Sequence, residues 1–392
     1  MWTRWFVVTV GVFGCSQKSV DSAQTPESTE SDEDSGTHPP DGSEGIPIYV
    51  GDVELRTDAD VELLEGYEVI QGSLGVFEGV TDLSPLHALE EITGSLRIED
   101  TTTLPSLAGL DSVAHIGADL GIRGSTLTSL TGLGALTSLE GLSIEDTEHL
   151  QDLSALASVP GFSRNLVVTN STLESLAGLD GLTEVRGYLN IQNTSSLASL
   201  AGLEAVTYVG KTLFVVQCPR IEDLDGLAGL VTVNESVSIS DLPLLSRVDL
   251  PVQVVADVVQ IVRNPELASI EMSGLVTTGE LEIHGNPKLT GVSAPALSEV
   301  EGWLQVDDND SLESIGDFAS LATVGVRVSI TRNDAITQLA ASLPVLREVG
   351  ENFDVHDNPS LPSCEVDAVA EAITDLGGLV VNTGNDGTTA CD

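Results

Sequence analysis

The sequence predicts a mainly β fold, a parallel solenoid of about 14 coils closed by a small C-terminal α/β cap. Three observations carry this expectation. A short phrase recurs: a turn glycine, then two apolar residues one apart, as in Gly94-Ser95-Leu96-Arg97-Ile98, Gly187-Tyr188-Leu189-Asn190-Ile191 and Gly279-Glu280-Leu281-Glu282-Ile283. Its first apolar residue falls at Val53, Leu74, Leu96, Leu120, Leu142, Leu166, Leu189, Leu213, Val237, Val259, Leu281, Leu304, Val328 and Phe353. The 13 steps from Val53 to Phe353 give a period of about 23 residues, within the solenoid range. Between phrases runs a second pattern, an apolar residue at every third position, as in Leu127, Leu130, Leu133, Leu136 and Leu139.

The alternation in each phrase is that of a strand with one face buried. The period of three fits neither a strand nor an α-helix; it suits short 3₁₀ or extended pieces turning one edge inward. Leu104, Leu107, Leu110, Val113 and Ile116 form another such run, and Leu173, Leu176, Leu179, Leu182 and Val185 a third. Each coil is therefore expected to offer one short strand and one looser return path. In the first coil Leu63, Leu64, Tyr67, Val69 and Ile70 are read as the return. A chain of 392 residues exceeds the usual size of one compact core, but a repeat array packs each unit only on its neighbours.

Three residues after the second strand apolar comes a small hydrogen-bonding residue. It is Thr101, Ser125, Thr147, Ser171, Thr194 and Cys218, then, after Leu242, Asn264, Asn286, Asn309, Asn333 and Asn358. Stacked in a column, such side chains can satisfy the backbone groups of buried turns. The phrase LxIxxN, as in Leu281 to Asn286, resembles the LxLxxN core of leucine-rich repeats. With its turn glycine and spaced leucines it resembles the receptor L domain over residues 46–361. That resemblance implies a right-handed β-helical module with a broad sheet face for ligand. The chain shows no kinase or cysteine-rich module to accompany it.

The ends read differently. Residues 1–14, with Arg4 before a short apolar run, look like a secretory signal, and Val12-Phe13-Gly14-Cys15 resembles a bacterial lipobox, which implies a lipid on Cys15. Phe13 departs from the small residue usual at its position. Residues 15–45 are rich in Ser, Thr, Asp, Glu, Pro and Gly and read as a disordered tether with a reach of roughly 30 Å. Residues 362–392 are the expected cap. Val366, Val369, Ala370, Ile373 and Leu376 share one helical face over 365–376, and Leu379-Val380-Val381 reads as a strand. Cys364 and Cys391 bracket the cap and would close it as a disulfide in an oxidising compartment. Cys218, within the ladder, reads as a small buried group.

Against 61 Asp and Glu stand 15 Lys and Arg, a net charge of −46, which repels nucleic acid and anionic lipid and favours a monomer. Ala205 to Thr212, AVTYVGKT, matches a relaxed phosphate-loop pattern, but Gly210 is the repeat's turn glycine and a strand, not a helix, follows. Asp307-Asp308-Asn309-Asp310 offers oxygens of the kind calcium takes, yet Asn309 belongs to the ladder and its acidic neighbours are expected to face solvent. The histidines are His38, His87, His115, His149, His284 and His356, none at metal-ligand spacing. No HExxH or GxSxG occurs, and neither an enzyme nor a cofactor is expected.

The residues flanking each apolar pair point away from the core. Most are small or polar, such as Ser95, Arg97 and Glu99, or Ser236, Ser238 and Ser240. Val167, Tyr188, Phe214, Val216, Val258 and Val262 differ, with Asn190, Gln192 and Gln260 among them. These form the candidate ligand-binding face, which His284, Trp303 and His356 would extend. The functional expectation is a lipid-anchored protein of the outer membrane or cell surface that recognises or adheres to a protein or glycan. The rivals are an envelope spacer without a ligand and a polysaccharide-cleaving β-helix.

Overall fold

The computed structural model describes residues 45–389. Cys15, the signal and nearly all of the tether lie outside that range, as does Cys391. The described chain is a leucine-rich-repeat-like parallel β-solenoid. One long parallel sheet is built from the strands Val53–Leu55, Leu74–Val76, Leu96–Glu99, Asp119–Arg123, Gly141–Glu145, Leu166–Thr169, Leu189–Gln192, Leu213–Val216, Val237–Ser240, Val254–Val262, Thr277–His284, Trp303–Asp307, Arg327–Thr331, Phe353–His356 and Val380–Thr383. Each adds one coil, and successive strands pair in parallel, with one shift of register between Val255 and Val258: Leu189 lies beside Leu213, Leu213 beside Val237, Val237 beside Val259.

The register places both predicted apolar residues of a strand inward. Leu213 and Val215, or Leu281 and Ile283, are fully buried. The leucines spaced by three close the other side of the core. Their period has a backbone cause: the Leu133 N–H donates to the Leu130 carbonyl, and Leu136 to Leu133, each at 3.0 Å. Such bonds between residues three apart make 3₁₀-type turns, which eclipse side chains at that spacing. Three of the returns form 3₁₀ helices, at Ser84–Leu86, Ser154–Leu156 and Asp225–Leu227.

Several expectations need correction. The return path is not only loose coil. Ile48–Val50, Val69–Gln71, Glu91–Ile92 and His115–Ile116 stack as a second small parallel sheet, and two three-stranded sheets continue the same idea further along. In the first coil a helix, Asp58–Glu62, opens on a capping box between Thr57 and Asp60, and Leu63 behind it is 76% exposed rather than part of the return. The C-terminal helix spans Ser363–Ala372 and stops before Leu376, because Ile373 turns to extended backbone (ψ 118°). Val366 and Val369 do cover the core. The strand that follows is a fifteenth coil: Phe353 lies beside Val380 and His356 beside Thr383.

Close approach explains the turn glycines. A Cβ built on Gly350 would stand 1.9 Å from the carbonyl oxygen of Gly325, and one on Gly210 would stand 2.1 Å from that of Arg186. Gly210 thus serves packing between coils.

The ladder column is buried throughout. In its first half hydroxyls pair, Thr101 with Ser125 at 2.8 Å and Thr147 with Ser171 at 3.0 Å. Thr194 donates to the Cys218 sulfur at 3.0 Å, and burial pushes that thiol's pKa up. In the second half each asparagine donates its amide to a strand carbonyl of the preceding coil, as Asn309 does to Ile283 at 3.0 Å. The residue before each ladder position is left-handed, with φ between 51° and 58° at Asp146, Asn170, Gln217, Arg263 and Arg332 among others. That conformation turns the chain out of the sheet. Asp and Asn tolerate it best, so Gln217, Arg263 and Arg332 hold it at some cost. The two arginines gain forked ion pairs to the preceding coil: Arg263 to Asp241 at 2.6 and 2.7 Å, Arg332 to Asp308 at 2.6 and 2.8 Å.

Candidate functional site

The outer face of the long sheet is a grid. Residues between the two inward positions form one row across it: Val167 lies beside Asn190, Asn190 beside Phe214, Phe214 beside Ser238 and Ser238 beside Gln260. Tyr188 stands in the row before the first inward residue. Its ring lies 6.4 Å from that of Phe214, tilted by 35°. The Lys211 ammonium caps the Tyr188 ring at 4.8 Å, within cation–π range. Asn190 is buried in the same row, and its Oδ1 has no hydrogen-bond partner among the described residues.

Val167, Tyr188, Phe214, Val216 and Val258 are half-buried on this outer face. Val262 departs from the expectation. It is 1% exposed although it faces outward, because Ser240 and His284 flank it in the register and shut it in. It supplies no accessible apolar surface. His284 is half-buried, and desolvation lowers its pKa, which favours the neutral imidazole. Glu280, in the same strand, is shifted upward by burial and by its neighbour Glu282.

Further along, the grid is concave. Trp303, Gln305 and Asp307 on one strand, Arg327, Ser329 and Thr331 with Arg332 on the next, and His356 beyond line a hollow of about 270 Å³. Trp303 is 42% exposed, the most open of the predicted face residues. Asp307 also corrects an expectation: it is 5% exposed and does not face solvent. Its Oδ1 accepts the Thr331 N–H at 3.0 Å and the Ser329 hydroxyl at 3.4 Å, and its Oδ2 accepts the Gln305 amide at 2.8 Å. Burial still pushes its pKa up, because desolvation outweighs those bonds. Arg327 pairs with Asp354 at 2.5 Å, and the Asp354 side chain is only 3% exposed.

Among the described residues no group of three or more His, Cys, Asp or Glu is placed to hold a metal ion. No described helix is long and apolar enough to cross a membrane. Cys364 is the second residue of the C-terminal helix, and its expected partner Cys391 lies outside the described residues. The hollow was not legible as a unit in the sequence. Its residues are spread over three coils, and the signal was only their shared place in the repeat.

The chain matches no protein-family model and no curated protein. Among solved structures it is similar to an internalin, InlF, from Listeria monocytogenes str. 4b F2365, at 17% identity over 88% of each chain, with a TM-score of 0.38. The class of protein rests on the strand register and the ladder described above.

Proposed function

We propose that this protein is a surface lipoprotein whose solenoid recognises or adheres to a protein or glycan. In this reading a lipid on Cys15 anchors the chain, residues 15–45 space it from the membrane, residues 46–361 present the outer sheet face, and a Cys364–Cys391 disulfide closes the cap. The observation that carries the reading is the Tyr188–Phe214 pair with Lys211 on a sheet whose outward residues are mostly small or polar. Half-exposed aromatics beside a cation and amides are the composition of a binding surface. The receptor L-domain resemblance adds that ligands of such modules take the broad sheet face.

The test is capture by the full chain from native cell extracts and on a glycan panel, compared with a Tyr188→Ser/Phe214→Ser variant. Saturable capture that the double substitution abolishes, with melting unchanged, supports the reading. A spacer shows no saturable capture at all. Capture by the double variant at wild-type affinity removes this patch from the surface.

A further inference from the structure

We propose that the hollow around Trp303 is a subsite for one pyranose ring of a neutral glycan. This deepens the reading above, that the outer sheet face binds ligand, and rests on it.

The first observation is an opening with an exposed indole at its edge. Trp303 is 42% exposed in a row it shares with Arg327, and the hollow beside it holds about 270 Å³. Pockets for drug-sized ligands start at about 300 Å³, so this one suits a single ring. An indole face on a polar sheet is the natural partner for the C–H face of a sugar.

The second observation is independent of the first. Arg327 Nε, Asp354 Oδ1 and Thr331 Oγ1 are buried and have no hydrogen-bond partner among the described residues. Asp354 and Thr331 are 2% and 3% exposed. Buried polar groups are ordinarily paired; Arg327 and Thr331 line the hollow and Asp354 is the ion-pair partner of Arg327, so these orphans call for a ligand group. They comprise a donor, an acceptor and a hydroxyl. A hydroxyl both accepts from a guanidinium and donates to a carboxylate, and a pyranose ring carries several. Arg327 lines the hollow, and its side chain is 35% exposed.

Charge selects among sugars. Both guanidiniums are already neutralised, Arg327 by Asp354 and Arg332 by Asp308. His356 Nδ1 lies 3.0 Å from Asp357. Asp307 adds a further carboxyl, and the whole chain carries −46. Uronates, sialates and sulfated sugars are therefore disfavoured, and no cation remains unpaired to hold an aspartate or glutamate of a protein partner.

The experiment is saturation-transfer NMR on the full chain with methyl glycosides of glucose, galactose, mannose and N-acetylglucosamine, and with glucuronate as the anionic comparator. The expected result is transfer to the ring C–H protons of at least one neutral glycoside, none to glucuronate, and loss of affinity by about tenfold or more in Trp303→Ala. Trp303→Phe keeps most of the binding, and Thr331→Val weakens it severalfold, with melting as in the wild type. Absence of transfer to every neutral glycoside overturns the proposal, as does glucuronate binding equal to the neutral sugars or an undiminished signal in Trp303→Ala. The two readings fail separately. If no glycoside binds but saturable capture from extracts survives Trp303→Ala, the hollow is lost and the sheet-face reading stands. If a glycoside binds yet no capture from extracts is saturable, the Tyr188–Phe214 surface is lost and the hollow stands.

Discussion

The side-chain oxygen of Asn286 accepts the backbone N–H of Asn264, one coil away, at 3.0 Å. The Asn286 amide donates in turn to the Ile261 carbonyl at 3.0 Å and the His284 carbonyl at 3.2 Å. One buried side chain thus closes backbone groups of two coils. Asn286→Ala leaves the Asn264 N–H buried and unpaired, and takes one of the bonds accepted by the Ile261 and His284 carbonyls. Such a group costs about 1–3 kcal/mol, so a loss of that size is expected. Denaturant unfolding measures it, and a change below about 1 kcal/mol counts against the ladder as a stabilising device.

The strand register makes a paired prediction at adjacent residues. Leu213 is fully buried and Phe214 stands on the outer face. Leu213→Ala should cost about 2–5 kcal/mol, the range for a buried leucine, and Leu281→Ala the same. Phe214→Ala should cost about 1.5 kcal/mol or less, since it loses chiefly its contact with Tyr188. A shift of one residue exchanges the faces of a strand. The reverse order of the two costs, read from melting curves, would show that the register is wrong.

The strands were legible because two inward residues per coil must be apolar, and a coil of constant length brings them round at a constant interval. The ladder was legible for the same reason. The return strands were not, since two residues such as Glu91–Ile92 carry no alternation to read. The left-handed turn before each ladder residue left a trace of Asp, Asn and Gly, at Asp100, Gly124, Asp146 and Asn170, but Gln217, Arg263 and Arg332 interrupt it. Half of the candidate face was visible as a run of apolar outward residues. The hollow was not, because Trp303, Arg327 and His356 meet only through stacking of three coils, and the burial of Asp307 and Val262 depends on what stands beside them in the grid.

The anchor makes its own prediction. If Cys15 carries a lipid, Cys15→Ser removes the acyl chains that hold the protein to a membrane, and the variant should move from the membrane pellet to the soluble fraction. The net charge of −46 repels the chain from an anionic bilayer. Fractionation with an alkaline wash decides it. A variant that sediments with membranes and resists the wash contradicts the lipobox reading.

Asp307 ties stability to pH. Burial raises its folded-state pKa above the ordinary value of 3.8, against the pull of Thr331, Gln305 and Arg332. As pH rises through 3.8 the unfolded chain gives up this proton first, while the folded chain still holds it. Folding then takes up a proton, and stability falls with rising pH until the folded carboxyl also ionises. Above that point the whole penalty of a buried carboxylate is present; below 3.8 it is absent. Asp307→Asn keeps an oxygen for the Thr331 N–H and the Ser329 hydroxyl, and a flipped Gln305 side chain can accept from the new amide. The variant should therefore melt higher than the wild type at neutral pH, with the gap closing on acidification. His284, beside Asp307 in the register, has its pKa lowered by burial, which makes acid destabilising; the Asp307 charge pulls that pKa up in part, so Asp307→Asn lowers it further and adds to the closing of the gap on acidification. Melting curves of the two proteins from about pH 3 to about pH 7 measure the gap. A gap that stays constant across that range would mean that the Asp307 carboxyl titrates as it does in the unfolded chain.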